Sequence, residues 1–171
     1  EADCSVALQA LREGKLPLRV THNDTKLNNI LIDRKTGEGI CVIDLDTTMP
    51  GLPINDFGDS IRFGANHSAE DEKDLSKVNF DIKLYEIYAK NFIAGAQGGL
   101  TEAELAYLPW GARLMTLECG IRFLTDYLDG DRYFHISYPE QNLDRCRTQF
   151  KLVRDMEQQF EAMQKVIEKY A

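Results

Sequence analysis

The stretch from His22 to Asp46 gathers the residues best suited to chemistry. It reads His22-Asn23-Asp24-Thr25-Lys26-Leu27-Asn28-Asn29, then an apolar segment, a turn, and Ile43-Asp44-Leu45-Asp46. Asp24 is a carboxylate in a polar loop, able to accept a proton from a substrate hydroxyl. Asn29 and Asp44 offer hard oxygen atoms of the kind magnesium prefers. Asp46 follows Asp44 by two residues, so strand alternation would put both on one face. There it could share a second metal, support the first, or stand as a solvated charge at a strand end.

These residues need a scaffold that folds Asp44 back beside Asn29. Ile30-Leu31-Ile32 and Gly39-Ile40-Cys41-Val42-Ile43 read as two short strands, with Thr36-Gly37 marking the turn between them. Such a hairpin would bring two oxygen donors to one cation. Ahead of it, residues 3–13 carry a helical spacing, with Asp3 as N-cap and Gly14 as stop. Leu16 to Val20 reads as extended. After it, Met49 to Pro53 reads as a Pro/Gly-rich loop.

The rest reads as helix. One helix starts near Asp56 and runs to Ala65. Phe80, Leu84, Ile87, Tyr88 and Phe92 form one helical face, which Gly95 to Gly99 breaks. Thr101 and Glu104 have the spacing of a capping box. Trp110, Leu114, Leu117, Ile121, Leu124 and Leu128 then predict a long buried helix, stopped by Gly130. Leu143, Cys146, Phe150, Val153, Met156, Phe160, Met163 and Ile167 predict a last helix running nearly to the end. The strands are too few and short for a doubly wound sheet. The expected class is α+β, mainly α, with a single domain over 1–171: a loop at 21–29, a hairpin at 30–46 and a helical remainder at 54–171.

His22-x-Asp24-x-x-x-x-Asn29, followed by an apolar strand ending in Asp44, resembles the catalytic loop and metal-binding segment of the kinase superfamily. His22-Asn23-Asp24 and Ile43-Asp44-Leu45-Asp46 are similar to the aminoglycoside phosphotransferase and choline kinase branch. Protein kinases instead carry Arg after the His and Asp-Phe-Gly at the metal aspartate. Asn55-Asp56-Phe57-Gly58-Asp59 extends the match. The segment Thr25 to Asn29, the segment Gly120 to Tyr127 and the segment Gly130 to Phe134 resemble bacterial N-acetylhexosamine 1-kinases, which phosphorylate an anomeric hydroxyl.

The resemblance implies the fold of a kinase-like C-terminal lobe, its hairpin carrying the metal site. It implies Mg2+ as cofactor, ATP as donor and a small-molecule hydroxyl compound, an amino sugar, as acceptor. It assigns Asp24 as base, Asn29 and Asp44 as magnesium and nucleotide ligands, and Lys26 as a contact to the transferred phosphoryl group. It makes His22 a structural brace, and Arg122 and Tyr133 the lining of the sugar pocket. The residues alone leave other readings open. Lys26 could face solvent, and Arg122 could be a salt-bridged or snorkelling surface residue. Asp56 and Asp59 fit helix caps and loop braces better than metal ligands. His67 and His135 read as surface residues.

Bulk properties narrow the classes. A net charge of -8 disfavours nucleic acid and anionic membranes as partners. No apolar run is long enough to span a bilayer, and no signal-peptide pattern opens the chain, so a cytoplasmic location is expected. Cys4, Cys41, Cys119 and Cys146 are scattered with no CxxC pair, the pattern of buried or half-buried free thiols. Neither a sulfatase cysteine context nor a Gly-x-Ser-x-Gly elbow is present, which removes the main hydrolase readings.

Glu1 opens directly into helical pattern, and only about twenty residues precede the catalytic loop, with no glycine-rich phosphate loop among them. The expectation is a trimmed chain without its N-terminal nucleotide-binding lobe, inactive alone. A non-catalytic sugar- or partner-binding module is the alternative class. A choline- or aminoglycoside-type kinase is the alternative within the same class.

Overall fold

A computed structural model describes residues 2–171; the reading of Glu1 lies outside them. A 3-10 turn, Ala2–Ser5, leads into helix α1, Val6–Arg12. The expected Asp3 cap is not used. Ser5 holds the N-cap position without a side-chain bond, and the Asp3 carboxylate instead accepts from Arg113 Nη1 at 3.1 Å. Gly14 ends the segment at φ +71°, a conformation glycine adopts without strain.

Two small antiparallel sheets follow. Strand β1, Arg19–Thr21, pairs with β4, Met49–Gly51, with Val20 opposite Pro50. The sequence reading of 49–53 as loop misses β4. Pro50 lacks an N–H, but a two-stranded edge does not need one there. Strands β2, Ile30–Ile32, and β3, Gly39–Val42, form the expected hairpin, with Gly37 at φ +75° in the turn. Every residue of both strands is exposed to solvent, so neither face of the hairpin joins the core.

Helix α2, Pro53–Gly64, starts ahead of the expected Asp56, because Pro53 at the first helical position is preset for helix. Helix α3, Ile82–Gly95, is capped by Asp81, whose carboxylate accepts from the N–H groups of Lys83 and Leu84. Phe80 precedes it and Ile87 faces out. The inward face is Tyr85 and Ala89, with Tyr88 and Phe92 packed around Phe57.

Helix α4, Glu102–Leu128, opens on the expected Thr101–Glu104 capping box. Its buried face differs from the expected one. Leu108, Ala112, Thr116 and Phe123 are buried, while Ile121 and Leu128 are exposed. The physical reason is close helix packing through small residues. A Cβ at Gly58 of α2 would run into the Gly111 carbonyl, and one at Gly111 would run into Ile54. A search for large apolar residues overlooks such a contact face. The expected last helix is two, α5 over Gln141–Gln158 and α6 over Phe160–Tyr170. They are separated at Gln159, whose φ of -108° and ψ of 12° leave the helical range. Phe150 is partly exposed rather than buried.

The core runs from Leu16 through Phe57, Tyr85 and Leu108 to Met156 and Met163. All four cysteines are free. Cys146 is buried, but Cys4 and Cys41 are exposed, against the buried-thiol expectation. Among the described residues no helix is long and apolar enough to cross a membrane. The result is a mainly helical α+β fold with two small antiparallel sheets, compatible with a kinase-like lobe.

Candidate active site

The residues of the 21–29 loop sit where β1 ends and a 3-10 turn, Leu27–Asn29, delivers the chain to β2. Asn23 turns the chain at φ 65°, a left-handed conformation that asparagine tolerates better than most residues. Asp56, in the first turn of α2, holds this bend from below. Its Oδ2 accepts the N–H of His22 and its Oδ1 that of Asn23, each at 2.8 Å. Thr47 donates its hydroxyl to the His22 carbonyl at 2.7 Å. Asp56 is thus the loop brace the sequence foresaw, although it caps no helix.

His22 ties the loop to the hairpin. Its Nε2–H donates to the Ile43 carbonyl at 2.9 Å, which leaves Nδ1 to accept the Asp24 N–H at 3.3 Å. One neutral tautomer satisfies both bonds. The imidazole is held by two backbone groups.

Asn29 reaches back to Asp24, its Nδ2 donating to both Asp24 Oδ2 and the Asp24 carbonyl at 2.9 Å. With its amino group so engaged, its Oδ1 turns away from Asp24. The Ile43 N–H donates to the Asn29 carbonyl at 2.9 Å, which closes the hairpin and sets Asp44 at the same end as Asn29.

Asp44 does not lie in a strand. It takes φ 65° and ψ 51°, and the chain then enters a 3-10 turn, Leu45–Thr47. The argument from strand alternation for Asp46 therefore fails, yet the tight turn still brings the two carboxyls together. A shared hydrogen bond with Asp46, and its charge, push the exposed Asp44 carboxyl above the usual carboxylate range; slight desolvation and the Asp24 charge add to this. Among the described residues, no three His, Cys, Asp or Glu side chains form a ready metal cage. The candidate donors are instead the Asn29 amide oxygen and the mutually repelling carboxylates of Asp44 and Asp46. That composition fits magnesium, which uses one or two carboxylates and fills its other positions with water and phosphate.

On the other side of Asp24 lies a cavity of about 510 Å³. It is lined by Asp24 and Lys26 from the loop and by Arg122, Tyr133 and Phe134 from the far wall. The structure therefore brings the two sugar-pocket candidates together, in one cavity with Asp24. Arg122 Nη2 lies 3.4 Å from the Tyr133 hydroxyl, and its guanidinium covers both aromatic rings at about 5.5 Å. Both side chains remain open to the cavity, Tyr133 being 73% exposed. The segment carrying them is fixed by Asp126, whose carboxylate accepts the N–H groups of Arg132, Tyr133 and Phe134 at 2.8 to 2.9 Å. Burial works to raise the Asp126 carboxyl, but these N–H groups and the Asn142 amide outweigh it and hold it below the usual range.

Lys26 does not point freely to solvent. Its Nζ stands 5.0 Å above the Phe63 ring and 3.9 Å from Glu70 Oε2. Asp59 is no helix cap, and its Oδ1 accepts from Arg62 Nε at 3.0 Å. Arg62, only 7% exposed, also donates to Glu70 at 2.8 Å. Burial alone would weaken its charge, but Asp59 and Glu70 more than offset that and keep it firmly protonated. His67 and His135 are both exposed; His135 also lines the cavity, and His67 pairs with Asp81 at 3.0 Å.

Sequence reasoning missed Arg62, Glu70, Asp126, Asn142 and Arg145. Each is buried or half-buried, and each is held by a partner on another element: Glu70, in the connection after α2, meets Arg62 of α2 and Arg145 of α5, and Asn142 of α5 donates to Asp126 of α4. The available signal was charge within an apolar helical pattern, as at Arg62 and Asp126.

A family model described as a phosphotransferase enzyme family, APH, matches residues 2–88. That span is half of the chain and contains the loop, both sheets, α2 and the start of α3. This chain, with its His22-to-Asp46 loop and hairpin and a cavity that Asp24 helps to line, belongs to that family of phosphotransferases.

Proposed function

We propose that this chain supplies the catalytic loop and acceptor site for ATP-dependent phosphoryl transfer to a small-molecule hydroxyl. The favoured acceptor is an N-acetylhexosamine at its anomeric position. The observation that carries the reading is the double hydrogen bond from Asn29 to Asp24, beside a cavity that Asp24 shares with Arg122 and Tyr133. With Oδ2 occupied by Asn29, Asp24 Oδ1 is left to face an acceptor hydroxyl.

In this reading the hydroxyl oxygen forms a bond to the γ-phosphorus as the bond from that phosphorus to ADP breaks. The hydroxyl proton passes to Asp24, and the products are ADP and a phosphate ester. Asn29 Oδ1, Asp44 and Asp46 would hold magnesium, which neutralises phosphate charge. Lys26 would stabilise the equatorial oxygens. His22 and Asp56 act by holding the loop, not by moving protons.

The charge of the cavity favours a neutral acceptor. Lys26, Arg62, Arg122 and Arg145 balance Asp24, Asp59, Glu70 and Glu118. A polycationic aminoglycoside or a quaternary ammonium would be met by a wall with no excess of negative charge. A neutral sugar can use the same groups as hydrogen-bond partners and stack on Tyr133 or Phe134.

The test is a coupled ATP-consumption screen of the full-length protein over hexosamines, choline and aminoglycosides, with Asp24→Asn as control. Turnover of an N-acetylhexosamine that the variant loses by about a hundredfold or more supports the reading. Magnesium-dependent binding of the sugar without turnover would favour the non-catalytic alternative. Unchanged turnover in the variant removes Asp24 as base.

A further inference from the structure

We infer that Glu70 is a positioning residue, linking Lys26 of the catalytic loop to the segment that recognises the acceptor. The inference rests on the reading of the 510 Å³ cavity as the acceptor site. Glu70 lies in the connection between α2 and α3, outside every motif recognised in the sequence.

Three cations converge on its carboxylate. Oε1 accepts from Arg62 Nη1 at 2.8 Å, while Oε2 stands 3.9 Å from Lys26 Nζ and 3.8 Å from Arg145 Nε. The Glu70 backbone is anchored separately, its carbonyl accepting the Thr148 hydroxyl of α5. The carboxylate therefore sits at a fixed point, and the two longer contacts are the ones it imposes on its neighbours.

Those two contacts reach opposite parts of the cavity wall. Lys26 is two residues from Asp24. Arg145 donates through Nη1 to the His135 carbonyl at 3.1 Å and to Asn142 Oδ1 at 2.9 Å. Asn142, fully buried, donates in turn to Asp126 and Asp131, which shape the segment bearing Tyr133. One carboxylate thus sets the spacing between a proposed phosphoryl contact and a proposed sugar contact. Arg62 keeps Asp59 as a partner if Glu70 is neutralised. Lys26 and Arg145 would lose their shared counter-charge and be left facing each other and Arg62 in a half-buried, poorly screened site.

Kinetics of Glu70→Gln in the full-length protein, alone and in a Lys26→Met background, test this, with Glu161→Gln on an exposed α6 pair as control. Glu70→Gln should lower kcat and raise the acceptor KM about tenfold each, leaving the ATP KM within about twofold. Its kcat effect should fall below about twofold once Lys26 is gone, because the two residues act as a unit. An equal kcat loss in both backgrounds overturns the inference. A readout independent of turnover is the NMR signal of Arg145 Nε–H with the amides of Tyr133 and His135. These should shift in folded Glu70→Gln, and unmoved signals overturn the inference even if no acceptor is turned over. Failure of the functional reading shows up separately, as Asp24→Asn retaining full activity.

Discussion

The side-chain amide of Asn29 grips Asp24 at two points, the carboxylate Oδ2 and the main-chain oxygen, each at 2.9 Å. Asn29 borders the loop on the hairpin side and does not line the acceptor cavity. Asn29→Ala is therefore expected to lower kcat about a hundredfold by releasing Asp24 and removing an amide oxygen, with little change in acceptor KM. Steady-state kinetics with varied acceptor separate the two. A comparable rise in KM would place Asn29 in acceptor binding instead.

Helices α2 and α4 touch backbone to backbone where Gly58 meets Gly111. There is no room for a methyl group, and the obstacles are carbonyls rather than flexible side-chain ends. Gly111→Ala should destabilise the fold by about 2 kcal/mol or more through overpacking, despite the better helix propensity of alanine. Gly95→Ala, at the open end of α3 with no atom near the new methyl, is the contrast and should be close to neutral. Urea unfolding of the two variants decides this.

Glu104 is completely buried, closes the α4 capping box, and accepts two hydrogen bonds from Arg19 at 2.8 and 2.9 Å. Burial pushes its carboxyl up, but Arg19 and Thr101 outweigh it, so the folded protein holds it below the ordinary glutamate value of 4.5. A folded value below the unfolded one means stability that is present above pH 4.5 and lost as pH falls through the lower folded value. Glu104→Gln should cost about 2 kcal/mol at pH 7, and less as the medium is acidified below pH 4.5. Thermal unfolding of both proteins across that range should show the gap narrowing. A constant gap would mean that the charge on Glu104 is not what stabilises the joint.

Asp126 organises the 132–134 segment through three consecutive N–H groups. Asp126→Asn keeps the size but replaces one acceptor oxygen with a donor that faces N–H groups. The acceptor KM should rise about tenfold or more while the ATP KM stays near its starting value. Binding calorimetry with the acceptor sugar checks this directly. Unchanged affinity would show that Tyr133 and Phe134 keep their places without the carboxylate.

The parts legible in the sequence were those fixed by local rules. The Thr36-Gly37 turn and the Thr101–Glu104 box each depend on a few neighbouring residues, and each has its expected geometry. The buried face of α4 was misplaced because Gly111, Ala112 and Gly120 pack closely by being small, and a hydrophobic stripe does not register small residues. The strand β4 was hidden by Pro50, which reads as a loop until its partner Val20 is known. Asp46 was assigned for the wrong reason, since Asp44 sits in a left-handed turn and not in a strand. Glu70 and Arg145 could not be paired from sequence at all. Seventy-five positions separate them, and only the packing of α5 beside the 66–71 connection joins them.

The Gly58–Gly111 joint has a consequence for how acceptor choice can change. Helix α2 carries Asp56, which clamps the loop of Asp24, and α4 carries Arg122 and Asp126. With main chain against main chain at this joint, the two helices leave little slack to slide or tilt. New acceptors would then be accommodated by rewriting residues 129–140 between α4 and α5, while the distance from that segment's base to Asp24, the proposed proton acceptor, stays the same.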